Sequence, residues 1–291
     1  MALGFNLESY IEHSRKVDLA DFDFSEVSRY PLSEDEVRCL TYMMDIEGHT
    51  IVYLKNILST CAVRDSETTA FLSCWAYEEF FHSRALAQFL RASGQELSPT
   101  RFADLQKGAS LHEWLEGTAA SFICHVSRHF HGVYLTWGAI SELTTLEGYG
   151  VLARRTHNPL LAELMNRLAK DERRHFAFYY TKAKEQLQEP AAQRLTRFII
   201  KHFWLPVGGG VKPDSEVAWI AKYILGDAQG AEIAERIDTT IAKLPGLGEF
   251  RGLSRTRAES MGIGGDAVLP SDVSRENASE AMDGVAAKEN S

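Results

Sequence analysis

Residues 76–85 read AYEEFFHSRA, and residues 170–179 read KDERRHFAFY. Each contains a glutamate and a histidine three positions apart, Glu79–His82 and Glu172–His175, in the middle of a long helical pattern. Stepping along each pattern by three and four residues traces the face that should enter a core. Around the first pair that face is Leu72, Trp75, Glu79, His82, Leu86 and Phe89. Around the second it is Leu161, Met165, Leu168, Glu172, His175 and Tyr179. An earlier pattern gives Val37, Leu40, Met44, Glu47, Ile51, Leu54 and Leu58, again with one carboxylate in an apolar seam. An uncompensated buried charge costs several kcal/mol, against a total fold stability of about 5–15 kcal/mol. Something must neutralise these groups.

Divalent metal would do so. Glu and His one helical turn apart reach the same point in a bundle core. Two such pairs, joined by one further glutamate from each of two other helices, form the carboxylate-rich donor set of a two-metal site. Oxygen donors with one imidazole per ion suit iron or manganese better than thiolate-rich zinc geometry. Hairpin arithmetic identifies the extra glutamates. Glu47 lies about 16 residues before the turn centred near 63–64, and Glu79 about 16 after it, so the two share a level. In the second hairpin Glu142 lies 16 residues before Asn158, Glu147 lies 11 before, and Glu172 lies 14 after. At ~1.5 Å per residue the offset from Glu172 is about 3 Å for Glu142 and about 4.5 Å for Glu147. The arithmetic favours Glu142, although both glutamates head acceptable seams. Glu78 and Asp171 each precede a seam glutamate; they fit either a solvated face or carboxylates that orient the imidazoles from outside. The cluster His125, His129, His131 reads as a loop or surface group rather than a second metal site.

The remaining chain supplies a helical scaffold. Four long helices are expected, over residues 34–59, 66–94, 132–155 and 159–188, paired in two hairpins. Ser33 with Glu36 makes a capping box, Gly94 a left-handed stop, and Asn158–Pro159 a helix start. A shorter helix is expected over 111–126, and further ones over 191–203, 214–224 and 229–243, interrupted by LPVGGGVKP. No strand pattern is evident, so the fold class is all-α: a four-helix bundle with additional C-terminal helices. Residues 1–250 read as one helical domain. Residues 251–291, which lack aromatics, read as a disordered tail. No apolar run is long enough to span a membrane and no signal peptide is evident, so a cytoplasmic location is expected. The four cysteines lack CxxC spacing and read as reduced thiols. Net charge is −9, yet residues 151–222 carry 13 Lys/Arg against 7 Asp/Glu. Nucleic-acid motifs, phosphate loops and cysteine nucleophiles are absent.

Three segments carry a family resemblance. WAYEEFFHSRALAQFLRASG (75–94) resembles the W-x-x-E-E-x-x-H helix of the soluble acyl-[acyl-carrier-protein] desaturases, within the ferritin-like di-iron proteins. LMNRLAKDERRHFAFYYTK (164–182) resembles that family's I-A-x-D-E-x-R-H-x-x-x-Y motif, and ISELTTLEGYG (140–150) its lone-glutamate segment. The likeness spans roughly residues 34–205. It departs in EEFFH, which lacks the family's polar Asn-Arg pair, and in the C-terminal region. The resemblance implies a ferritin-like bundle with Glu47, Glu79, His82, Glu142, Glu172 and His175 holding two Fe (Fe2+/Fe3+, with Mn acceptable in one site), and with Thr145 near the chemistry. It implies an O2-dependent desaturase that acts on an acyl chain carried by acyl carrier protein. Electrons would come from ferredoxin or a similar donor, and a homodimer is compatible. The carrier would dock on the basic region, including Arg154, Arg155, Arg194, Arg197 and Lys201. Aldehyde-deformylating and arylamine N-oxygenases keep similar ligands, and a non-catalytic iron-binding protein is a further class.

Overall fold

The structure is a computed structural model, which describes residues 5–58, 64–108 and 129–263. Its four long helices are α2 (Glu34–Leu58), α3 (Ser66–Ala92), α5 (Phe130–Arg155) and α6 (Pro159–Gln186). Helix α2 pairs with α3 and α5 with α6, and the two hairpins share one core. Shorter helices surround them: α1 (Leu7–His13), a 3₁₀ turn (Phe24–Arg29), α4 (Arg101–Gly108), α7 (Pro190–Phe203), α8 (Asp214–Leu225), α9 (Ala228–Ala242) and α10 (Gly252–Ser260). Among the described residues there is no strand, only an isolated bridge between Gly209 and Lys212. The fold is all-α. No described helix is long and apolar enough to cross a membrane. The helix expected over 111–126 lies outside the described residues.

Local chemistry sets the helix ends. Ser33 Oγ accepts from the Glu36 amide at 3.2 Å, and the Glu36 carboxylate accepts from the Ser33 amide at 2.8 Å, closing the capping box of α2. Asp65 accepts from the Glu67 amide at the start of α3. Asn158 Oδ1 accepts from the amides of Leu160 and Leu161, both at 3.0 Å, while Pro159 occupies the first turn of α6. Gly94 terminates α3 with φ of 90°, a conformation that costs a β-carbon dearly.

Two sequence expectations need correction. The seam of α2 holds through Leu40, Met44 and Glu47, but Ile51 is 50% exposed and Leu58 38% exposed, whereas Ile57 is buried. A strict seven-residue pattern drifts by about 20° per heptad on a straight helix, so a stripe extended over three heptads rotates out of the core. The second correction concerns the tail. Residues 252–260 form α10, with Leu253 buried. Its start is held by Asp238, which accepts from the amides of Leu253 at 2.9 Å and Ser254 at 3.0 Å. Composition could not reveal this, because the anchoring carboxylate comes from α9. Residues 264–291, the rest of the expected tail, lie outside the described residues.

The two helices of the second hairpin approach closely at Gly138 of α5. A β-carbon there would lie 2.5 Å from the ring of Tyr179, which is fully buried against Trp75, Tyr134 and Phe71. Gly138→Ala should therefore destabilise the protein by about 1–3 kcal/mol, the usual range for overpacking a tight core. Thermal unfolding checks this; an unchanged melting temperature would mean that the Tyr179 ring yields freely.

Candidate metal centre

Helices α2, α3, α5 and α6 each deliver side chains to the same point in the core: Glu47 from α2, Glu79 and His82 from α3, Glu142 from α5, and Glu172 and His175 from α6. None of the six exceeds 6% exposure. Their ligand atoms form two groups, Glu47–Glu79–His82–Glu172 and Glu79–Glu142–Glu172–His175, each with its atoms within 4.8 Å of one another. Glu79 and Glu172 belong to both. His82 Nδ1 lies 3.0 Å from Glu172 and 3.5 Å from Glu79. His175 Nδ1 lies 2.9 Å from Glu79, 3.4 Å from Glu172 and 3.5 Å from Glu142.

Each imidazole is fixed from behind. His82 Nε2 contacts Asp171 Oδ2 at 3.1 Å, and His175 Nε2 contacts Glu78 Oε2 at 2.7 Å. An ionised carboxylate only accepts, so each Nε2 carries the proton and each Nδ1 faces the cluster. Glu78 and Asp171 thus take the outer, orienting role, and neither belongs to a solvated face. Both sit below the ordinary carboxylate range: burial opposes this, but their bonds to the imidazoles and the charge of Arg174 outweigh it. Arg174 reaches Glu78 at 3.0 Å and Asp171 at 2.5 Å, so one guanidinium holds both orienting carboxylates. Tyr10, on α1, donates to Glu78 at 2.7 Å, and the Arg15 amide donates to Glu78 at 3.2 Å.

The two unshared carboxylates are also held. Tyr149 donates to Glu47, and Trp75 Nε1 donates to Glu142 at 3.1 Å. Sequence reasoning places Trp75 on the seam but gives it no bond, and it misses Tyr149, Tyr10 and the role of Arg174. Only Trp75 leaves a usable signal, four residues before Glu79 on the same face. Glu147, the competing ligand, faces away and pairs with Arg236 at 2.7 Å. His125 lies outside the described residues. His131 contacts Thr68 Oγ1 at 3.4 Å, His129 contacts Glu189 at 3.4 Å, and neither belongs to a metal-competent group among the described residues.

Thr145 stands off the cluster, on an apolar cleft that reaches Glu47. The cleft runs between α2, α5 and the C-terminal helices, with walls that include Met43, Ile46, Val207, Ile224 and Ile237.

Whether the donors suit a metal can be judged from the atoms left over. Glu79 Oε1, Glu172 Oε1, His82 Nδ1 and His175 Nδ1 are buried without a hydrogen-bond partner, and all belong to the two groups. Unpaired polar atoms in a core are costly unless something else binds them. Each group offers three carboxylate oxygens and one imidazole nitrogen, a hard donor set that could hold a divalent metal ion. Comparison with family models, with curated proteins and with solved structures yields no match. Fold and site therefore define a class on their own terms: an all-α bundle with a buried glutamate–histidine centre able to hold metal.

Geometry separates the two candidate glutamates. Glu142→Gln should weaken metal binding by on the order of tenfold or more, while Glu147→Gln should bind as wild type and lose at most a surface pairing. Isothermal titration with Fe2+ or Mn2+ under anaerobic conditions decides it; the reverse order would move the ligand five residues along α5.

Without metal, protons take its place. Burial, then repulsion from Glu79, raises Glu47; burial likewise raises Glu142. Burial opposes protonation of His82, but the bond to Asp171 and the nearby carboxylates of Glu172 and Glu79 outweigh it and raise that group too. Glu79 moves down, since the bond from Glu47 and the charge of His175 outweigh its burial. A carboxyl raised in the fold stabilises it below its unfolded value and loses that contribution as pH rises through the folded value. Metal-free protein should accordingly lose thermal stability as pH rises above the ordinary glutamate value of 4.5. Metal should restore stability most at the higher pH and release protons on binding, giving a heat of binding that depends on the buffer's ionisation enthalpy. Binding with no proton release at pH 6 would contradict the retained protons.

Proposed function

We propose that the protein is an O2-dependent di-iron oxidoreductase that introduces a double bond into an acyl chain. One observation carries the reading: a centre whose two histidines both aim Nδ1 at two shared carboxylates, with an apolar cleft ending at one of its glutamates. Metal ions would be held by Glu47, Glu79, His82 and Glu172 in one group and by Glu79, Glu142, Glu172 and His175 in the other. When bound, two iron ions supply the reductive activation of O2 needed to remove hydrogen from an unactivated methylene, which no side chain can do. The overall reaction takes one O2, two electrons and two protons, converts –CH2–CH2– to –CH=CH–, and yields two waters. A one-electron carrier of the ferredoxin type fits the two electrons.

The residues of the chain provide everything else. Asp171 and Glu78 keep each imidazole in the tautomer that presents Nδ1, and Arg174 keeps those carboxylates ionised. Tyr149 and Trp75 orient Glu47 and Glu142. Ile46, Met43 and Ile224 line the cleft with hydrocarbon, which excludes water from the reacting carbons and gives an extended acyl chain apolar contact along its length. Thr145, one of the polar side chains lining the cleft, would position a water beside that chain. Apart from Glu47 and Glu147, the described lining of the cleft is uncharged and mostly apolar, which favours an acyl chain over a small polar substrate.

Purified protein reconstituted with Fe2+ should hold two iron per chain. Glu79→Ala and His175→Ala should each lower iron affinity by on the order of tenfold or more. Reduced by a ferredoxin system in air, the loaded protein should lower the mass of an acyl substrate by two hydrogens, seen by mass spectrometry. Equal iron in wild type and both variants would defeat the metal assignment. Iron uptake with O2 consumption but no unsaturated product from thioester or free acyl substrates would defeat the desaturase assignment alone.

A further inference from the structure

Helix α7 buries Ala192, Thr196 and Ile200 against the bundle. Its opposite face exposes Arg194, Arg197, Phe198, Lys201, His202 and Phe203. Phe198 is 54% exposed and Phe203 40% exposed, and their ring centroids lie 6.1 Å apart, with His202 4.9 Å from Phe198. Single exposed aromatics are ordinary, but two adjoining rings on one short helix gain nothing from the fold.

The cations are equally unspent. Five other cations of residues 151–222 are paired: Arg155 with Asp227, Arg167 with Asp21, Arg174 with Glu78 and Asp171, Lys182 with Glu67, and Lys212 with Asp45. The remaining ones, Arg154, Lys170, Arg173, Lys184 and Lys222, are spread over other helices with no pair of exposed phenylalanines beside them. Arg194, Arg197 and Lys201 have no acidic partner among the described residues, although acids are the commoner charge in the chain. Three free cations interleaved with two exposed phenylalanines are thus concentrated on one helical face.

The chain beyond α7 gives that face a context. Three and four residues after Phe203 come Pro206 and Val207, which line the cleft reaching Glu47. Tyr42 of α2 donates to the Val207 carbonyl at 2.7 Å, fixing this junction to the bundle.

We propose that the outer face of α7 docks on an anionic lipid surface. Phe198 and Phe203 enter the boundary between headgroups and acyl chains, and Arg194, Arg197 and Lys201 meet the lipid phosphates. An acidic protein would be attracted by the same three cations. The paired phenylalanines favour lipid, because a bilayer supplies anionic groups and hydrocarbon within one short depth. Docking in this way would hold the part of the cleft wall formed by Pro206 and Val207, three and four residues from Phe203, near a source of acyl chains. The contact itself is independent of iron and of the reaction proposed for the centre.

Full-length protein, metal-free and iron-loaded, is sedimented with phosphatidylcholine vesicles containing 30% phosphatidylglycerol, and with phosphatidylcholine vesicles alone. The expected result is partition onto the anionic vesicles by both forms, weak partition onto the neutral ones, and loss at high salt. Reversing Arg194, Arg197 and Lys201 to Glu should reduce partition by on the order of 100-fold. The exposed pair Phe198→Ser and Phe203→Ser should reduce it by on the order of tenfold while leaving thermal unfolding unchanged. Wild type that stays in the supernatant with anionic vesicles at low salt overturns the proposal. Partition that survives the phenylalanine changes overturns it as well, since it marks a purely electrostatic face of the kind an acidic carrier protein would use. Partition by iron-loaded and metal-free protein alike supports the lipid contact whatever the centre catalyses.

Discussion

Four glutamates buried together in one helical core are the constraint on which the rest of this molecule depends. Charge repulsion and lost hydration both oppose that arrangement, and each would by itself strain a fold of ordinary stability. The sequence places one of these carboxylates on each long helix, so the cost cannot be met by moving a single element aside. What compensates is organisation around the cluster. Two imidazoles enter it, two aromatic donors hold its outer glutamates, and two further carboxylates with an arginine stand behind the imidazoles. The result is a core that is electrically incomplete until cations, whether protons or metal ions, enter it.

Much of this arrangement is legible in the amino-acid sequence. The repeated Glu-x-x-His fixes two helices face to face, because both pairs demand the same interior point. Counting outward from the two turns locates Glu47 and favours Glu142 over Glu147, through nothing more than helical rise. Capping chemistry places the starts of α2 and α6 correctly, since a side chain within three residues answers for each. The failures have a common cause. Tyr149 meets Glu47 across 102 positions and Tyr10 meets Glu78 across 68, separations at which local periodicity carries no information. Helix α10 escapes notice for the same reason, its capping carboxylate lying 15 residues upstream on another helix. The apolar stripe of α2 fails differently. A pattern of threes and fours is only an approximation to the true helical period, and the error accumulates with length.

The N-terminal segment shows how a site can recruit structure that its own motifs do not contain. Helix α1 is only 7 residues long and would have negligible stability in isolation. It is fixed by a tyrosine whose hydroxyl ends on Glu78 and whose ring lies among Phe5, Phe71 and Arg174. Local order at the beginning of the chain is thereby tied to the orientation of His175, on the far hairpin.

Arg174 has a consequence for communication between the two halves of the centre. It touches Glu78, which holds the imidazole of α6, and Asp171, which holds that of α3; each orienting acid sits on the helix opposite the histidine it serves. The two coordination groups are therefore cross-braced, and their brace ends in a guanidinium that remains 30% exposed. An anion arriving at that surface position competes for the arginine with both acids at once. Such a visitor would loosen the two histidines together rather than singly, giving solvent one point of leverage over both halves of a buried centre.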